Sequence, residues 1–348
     1  MAICRIYLIT YRRHQTLPRA LCSLLDQTMT DWVCELHNDD PDDSFPRQLV
    51  ESLGDSRIQV VDHPENWGAT RSFNRIFEPV VEEFVSLLED DNWWAPDFLA
   101  TMLSAMRSFP SVKVAWANMR HWQEEAGGTW ADTGRTTWDV AATNQPQLFE
   151  WGHPGQMLTS LHANGAMLVR SQVANRYKTP DHTPFEGAEA IRERTFHFPI
   201  LFVPHVCANF AITRQSSRSN DTVTWAQLQT LLAGSFLRHV PLNPSSLRQI
   251  WHEARRKTPK STTTLFFAAL ACPDLGHVLS DANLSDWLFF LAYCLKHPVA
   301  AWNISRSIAA YPDLWHFLDT QTAARSREAS TSSDSINSST PSFTWQKS

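Results

Sequence analysis

The chain has 348 residues, with 36 acidic against 30 basic side chains, a formal net charge of -6 and 43% hydrophobic content. That is enough apolar material for the cores of two or three domains. The negative balance excludes a nucleic-acid binder working through bulk electrostatics.

The first part alternates strand-like and helix-like segments. CRIYLIT (residues 4–10) predicts a strand. TLPRALCSLLDQ predicts a helix, because Leu17, Leu21, Leu24 and Leu25 recur on one face. WVCELH (32–37), RIQVVD (57–62), FVSLL (84–88) and VKVAWAN (112–118) predict further strands. Between them lie the short helical runs FPRQLVESL, GATRSFNRIFEPV and DFLATMLSAMRSF. Strand, helix, strand at this spacing predicts an α/β fold with a mostly parallel sheet flanked by helices, whose ligands bind beyond the carboxyl ends of the strands. The unusual polar residues fall there: Thr10 to Arg13, Asn38 to Asp40, Asp62 to Asn66 and Glu89 to Asp91.

Residues 119–161 loosen into a hairpin excursion and a Trp-, Pro- and Gln-rich wall. HANGAMLVR and PILFVPH return to strand, with FEGAEAIRERTF as a helix between them. From WAQLQTLLAGSFL onward the segments have helical spacing. The expected organisation is therefore a first domain over 1–220, a helical C-terminal domain over 221–325 and a disordered Ser/Thr-rich tail over 326–348. Six cysteines (Cys4, Cys22, Cys34, Cys207, Cys272 and Cys294) show no paired spacing. They read as thiols of a reducing compartment, and a cytoplasmic location is expected. No stretch of 18 apolar residues occurs, so no transmembrane segment is expected. WLFFLAYCL nonetheless leaves a homodimer or a peripheral membrane contact through the helical part open.

The stretch VSLLEDDNWWAP poses the chemical question. A strand built for burial ends in three consecutive acids, Glu89, Asp90 and Asp91. Their mutual repulsion and desolvation are costly unless a positive group arrives. Acids flanking the helix that opens at Pro96 are the plainer alternative, favoured by its unpaired N–H groups.

Four pieces in chain order resemble the family 2 glycosyltransferases of GT-A fold. They are YLITYRR, the segment from Ser23 to Asp43 with its acidic turn, ENWGATRSFNR, and LLEDDNWWAP. Arg12 stands where the family usually has Asn, and Glu89 where it has the first Asp of its Asp-x-Asp motif. The resemblance implies metal-dependent transfer of a sugar from a nucleotide diphosphate to an acceptor hydroxyl with inversion, Mn²⁺ or Mg²⁺ bridging acids and diphosphate. It implies Asp91 as the direct metal ligand, with Glu89 and Asp90 beside the donor, and His205 as a further ligand after a late strand. Asp39 would accept the imide N–H of a uracil or thymine, favouring a UDP- or dTDP-sugar. Thr10, Arg12, Asn66, Gly68 and Arg71 would line the nucleotide pocket. Trp93, Trp94 and Trp151 are acceptor-side candidates. Glu186 and Glu189, on one helix face, compete for the role of base, with Glu189 preferred. The alternatives are a non-catalytic carbohydrate-binding scaffold on a degenerate GT-A domain, and a sugar nucleotidyltransferase, whose Gly-rich first loop TYRRHQTLP lacks.

Overall fold

The computed structural model describes residues 2–138, 145–214, 221–257 and 259–332. The chain order begins β1 (Cys4–Thr10), α1 (Leu17–Leu25), β2 (Trp32–Asn38), α2 (Phe45–Leu53), β3 (Ile58–Asp62), α3 (Ala69–Phe73), β4 (Phe84–Glu89), β5 (Trp93–Trp94) and α4 (Phe98–Ser108). It continues with β6 (Val114–Glu124), β7 (Trp130–Thr136), β8 (Gln147–Phe149), β9 (Met167–Arg170), α5 (Ser171–Ala174), α6 (Phe185–Glu193) and β10 (Ile200–Ile212). The remainder is helical: α7 (Thr222–His239), α8 (Pro244–Lys257), α9 (Pro259–Ala271), α10 (Leu284–Lys296), α11 (Pro298–Ser305), α12 (Ser307–Ala310) and α13 (Pro312–Ser332).

The strands form one mixed sheet in the order β3-β2-β1-β4-β9-β6-β10-β5, with β7 on β6 and β8 on β10. Its β3-β2-β1-β4 half is parallel, as the alternating pattern predicts. There Thr10 lies level with Asn38 and Ile9 with Glu89, so the polar ends of β1, β2 and β4 emerge side by side. The other half departs from the expectation. β9 runs antiparallel to both β4 and β6, and β5, β7 and β8 also pair antiparallel. Of these, β7 and β8 come from the irregular middle of the chain, where no helical crossover forces parallel pairing.

Two apolar layers cover the sheet. One contains α1 and α4 against Ile6, Leu8, Leu36 and Leu88. The other is aromatic, with Trp116, Trp138, Phe149 and Phe202 in mutual contact. The C-terminal helices form a separate core around Phe236, Trp251, Phe266 and Phe290, to which Trp151 and Met157 contribute from the sheet part of the chain. Trp151 is thus a packing residue. It is 7% exposed, lies against Phe198 and Phe236, and donates its indole N–H to Ser326 Oγ at 2.9 Å.

The tail starts later than composition predicts. α13 carries the chain through Ser326 to Ser332, because the Trp151 contact and packing on α7 support it, and residues 333–348 lie outside the described residues. Trp151→Ala should lower unfolding free energy by about 3–5 kcal/mol through the cavity it leaves. Trp151→Phe should cost only about 1 kcal/mol for the lost hydrogen bond. Urea melts of both variants check this, and equal losses would show that the indole N–H, not the ring, ties the two parts together.

Candidate active site

The acids at the end of β4 separate by environment. Glu89 accepts from the Asn92 side-chain amide and packs against the Asn164–Gly165 turn that precedes β9. A Cβ on Gly165 would come within 2.5 Å of Glu89 Oε2 and 3.0 Å of Asn92 Nδ2, so only glycine fits the approach. Asp90 accepts from the Tyr11 backbone N–H at 3.3 Å and faces Thr10. Burial, reinforced by the charge of Asp91, pushes its carboxyl up to about 7. Three adjacent carboxylates do not all hold charge comfortably here, which is the condition a cation relieves.

Arg19 of α1 supplies part of that positive field. Its Nη2 donates to the Asp91 backbone carbonyl at 2.6 Å, and its guanidinium stacks between Trp93 and Trp130 at 3.8 and 4.1 Å from the ring centres. Burial lowers its pKa to about 10, so it stays charged at neutral pH. Trp93 is therefore occupied by Arg19, Trp122 and Trp130. Trp94 is the packed member of the pair: 2% exposed, stacked on Phe98, with its indole N–H on the Gly165 carbonyl at 2.8 Å. Neither Trp94 nor Trp151 presents a ring face to an acceptor.

The metal question turns on the donor set. Among the described residues no group of three or more His, Cys, Asp or Glu converges to hold an ion. Glu89, Asp90 and Asp91 nevertheless suit Mg²⁺ or Mn²⁺, which bind one or two carboxylates and take their other oxygens from phosphates and water. His205 does not join them. β10 runs antiparallel to β5, with Asn209 opposite Trp93, so His205 falls beside Asp97, which its Nε2 meets at 2.8 Å. The Asp91 end lies near Ala211, whose N–H donates to Asn92 Oδ1 at 2.9 Å. Six residues of strand separate the two places, about 20 Å.

Asp39 is buried and organises the following loop. Its Oδ1 accepts the Trp67 N–H at 2.8 Å and lies 2.8 Å from His63 Nδ1, while Oδ2 accepts the Gly68 N–H at 3.0 Å. Gly68 adopts φ +76°, a left-handed conformation that glycine permits, and Asn66 Oδ1 also accepts its N–H. His63 Nε2 continues to His37 Nδ1 at 2.9 Å, and His37 Nε2 to Glu35 Oε2 at 3.2 Å. Three hydrogen bonds among two carboxylates and two imidazoles need three protons, one more than two neutral imidazoles hold. Burial lowers the His37 pKa, so His37 is not the natural bearer of that extra charge. Arg12, in a left-handed conformation at φ +56°, pairs with Asp40, and Arg71 lies over the Trp67 ring 3.5 Å from Glu65.

The late acids meet the donor side in one cavity. A chamber of about 930 Å³ is lined by Glu89, Glu186 and Glu189, by His121 and Arg135 of the β6–β7 hairpin, and by Trp225, Leu228 and Leu232 of α7. Glu189 Oε1 accepts the Asn164 N–H at 2.7 Å. Glu89 and Glu189 therefore flank the same two-residue turn. Arg192, fully buried, faces Glu189 and bonds Asn164 Oδ1 and Asn74 Oδ1 at 3.4 and 3.2 Å. Arg194 instead bonds the Gln156 carbonyl and faces Glu193. Asn74 also donates to Asp181 at 2.8 Å, and that acid is exposed. Ser216, Ser217 and Arg218 lie outside the described residues.

Comparisons with known proteins bear on the family and the fold. Residues 6–158 match the model of glycosyl transferase family 2. That span is a family 2 glycosyltransferase domain. A curated relative, the colanic acid biosynthesis glycosyl transferase WcaA of Escherichia coli (strain K12), is 29% identical over 115 residues, covering 32% of this chain and 41% of that protein. Among solved structures, residues 1–349 of TarS from S. aureus in complex with UDP superpose with TM-score 0.53 at 12% identity, over 96% of this chain and 91% of that one. The same TarS segment with UDP-GlcNAc gives 0.51 at 13% identity, over 96% and 92%. The likeness to TarS extends the shared fold through the helical C-terminal region.

The turn Asn164–Gly165, Arg19 and the α7 wall escape motif reading. HANGAM reads simply as the start of a strand, and Arg19 as one charge on an amphipathic helix. Asp39→Ala should free the loop it anchors. Hydrogen exchange at the Trp67 and Gly68 amides is expected to accelerate while β1 and β4 stay protected. Unchanged exchange at those two amides would show that Asp39 does not hold the loop.

Proposed function

We propose that the chain transfers a sugar from a nucleotide-diphosphate donor to an acceptor hydroxyl, with inversion and with Mn²⁺ or Mg²⁺ at Asp91. The observation that carries the reading is the chamber in which the strand-end acid Glu89 and the late acids Glu186 and Glu189 line one space. Residues 1–220 bind the donor in this reading, and residues 221–325 close the acceptor side through Trp225, Leu228 and Leu232.

The ion supplies electrostatic neutralisation of the departing diphosphate. Asp91 is its principal ligand, with Glu89 and Asp90 beside it. The Asp39 loop shapes the nucleotide site. Asp39 Oδ2 keeps one acceptor position beyond the Gly68 N–H, which suits the single imide N–H of uracil or thymine. The TarS complexes with UDP and UDP-GlcNAc are consistent with such a donor on this fold.

On the acceptor side Glu189 is the base. The acceptor oxygen attacks the anomeric carbon, the bond from that carbon to the diphosphate oxygen breaks, and the acceptor proton passes to the Glu189 carboxylate. Arg192 and the Asn164 N–H keep Glu189 oriented. Glu186 lies in the same chamber, one turn earlier on the helix.

Glu189→Gln should lower kcat by at least about 10²-fold and leave UDP affinity, measured by calorimetry in Mn²⁺, within a factor of a few. Glu186→Gln should reduce turnover much less. The reverse order would transfer the role to Glu186. Loss of UDP binding in Glu189→Gln would instead place that acid on the donor side.

A further inference from the structure

α10 carries an apolar face that nothing among the described residues covers. Leu284, Leu288, Leu291 and Leu295 are 75, 59, 52 and 83% exposed. Their spacing of four, three and four residues is that of the a and d positions of a coiled coil, and no charged residue interrupts the line. Val299 and Trp302 of α11 extend the patch, at 72 and 62% exposure. Contiguous apolar surface of this kind marks an interaction site rather than the scattered apolar residues of an ordinary surface.

The helix is held rigidly from behind. Phe290 stacks on Phe266 with ring centres 4.6 Å apart, and Trp287 meets Phe266 edge-on at 4.7 Å. Asn283 and Asp286 form a reciprocal cap at the N-terminus, and Arg255 bonds Asp286 at 2.7 Å. The outward leucines are thus presented on a fixed element, not on a frayed one.

We propose that this face pairs with α10 of a second copy of the chain, antiparallel and about a two-fold axis. The sequence of α10 is self-complementary about the midpoint between Phe289 and Phe290. An antiparallel partner sets Leu284 against Leu295 and Leu288 against Leu291, twice over. Isologous two-fold contacts require this kind of self-complementarity. A lipid surface fits less well: an interfacial helix carries a Lys/Arg-rich polar face, whereas the charged residues of α10 are Asp286, engaged by Arg255, and Lys296.

Sedimentation velocity on the full chain, with anionic phospholipid vesicles as a parallel arm, tests the proposal. The wild type should sediment at micromolar concentration with twice the 39.7 kDa chain mass. Leu288→Glu with Leu291→Glu should be monomeric, with a circular-dichroism melt close to wild type because both positions are exposed. The far-ultraviolet spectrum checks that this variant remains folded. A monomeric wild type overturns the proposal, whether or not it floats with the vesicles. So does a dimer that survives the double glutamate variant.

Discussion

The hydrogen bond from the Asn164 N–H to Glu189 Oε1, 2.7 Å long, is the constraint on which the site depends. It fastens α6 to the turn that enters β9. Because the next residue of that turn is Gly165, the same turn can approach Glu89 at the end of β4 without a Cβ in the way. A carboxylate from the first half of the chain and one from its second half are thereby held on either side of two backbone residues. Behind the turn, Trp94 donates to the Gly165 carbonyl and Arg192 to Asn164 Oδ1, so the arrangement is supported from the core.

Buried charge is what makes this support specific. Arg192, Glu193 and Arg194 follow one another at the end of α6, and all three are fully buried. Glu193 accepts from Gln156 and from the backbone N–H groups of Leu161 and His162, and lies 2.6 Å from His162 Nδ1. Burial opposes its charge, but these partners outweigh burial and hold its carboxyl below the usual carboxylate range. Such pairs add little net stability over apolar packing, yet leaving one member alone costs several kcal/mol. They tie α6 in one register against the loop over 156–162, and hence Glu189 in one position relative to the chamber.

Much of the parallel half of the fold is legible in the sequence. Short apolar runs mark β1 to β4 almost to the residue, and parallel pairing carries Thr10, Asn38 and Glu89 to one edge without further information. The strand-end acids are legible for the same reason, since charge that a buried strand cannot absorb must point at a ligand or at solvent. His205 misleads because sequence position after a strand does not reveal register. Antiparallel pairing with β5 carries it to Asp97, far from Asp91. Trp94 and Trp151 mislead because an indole serves packing and sugar stacking equally well, and burial alone distinguishes the two. Gly165 is silent in the sequence, since its importance lies in a contact with a side chain 76 positions earlier.

The central claim is that donor-side and acceptor-side acids line one chamber as separate groups with separate tasks. The anomeric configuration of the product tests it most directly, read by proton NMR immediately after transfer from a UDP-sugar in the presence of Mn²⁺. A base on the acceptor side predicts a product of configuration opposite to that of the donor. A product that retains the donor's configuration would contradict the account, because the acceptor would then have entered on the face from which the diphosphate leaves.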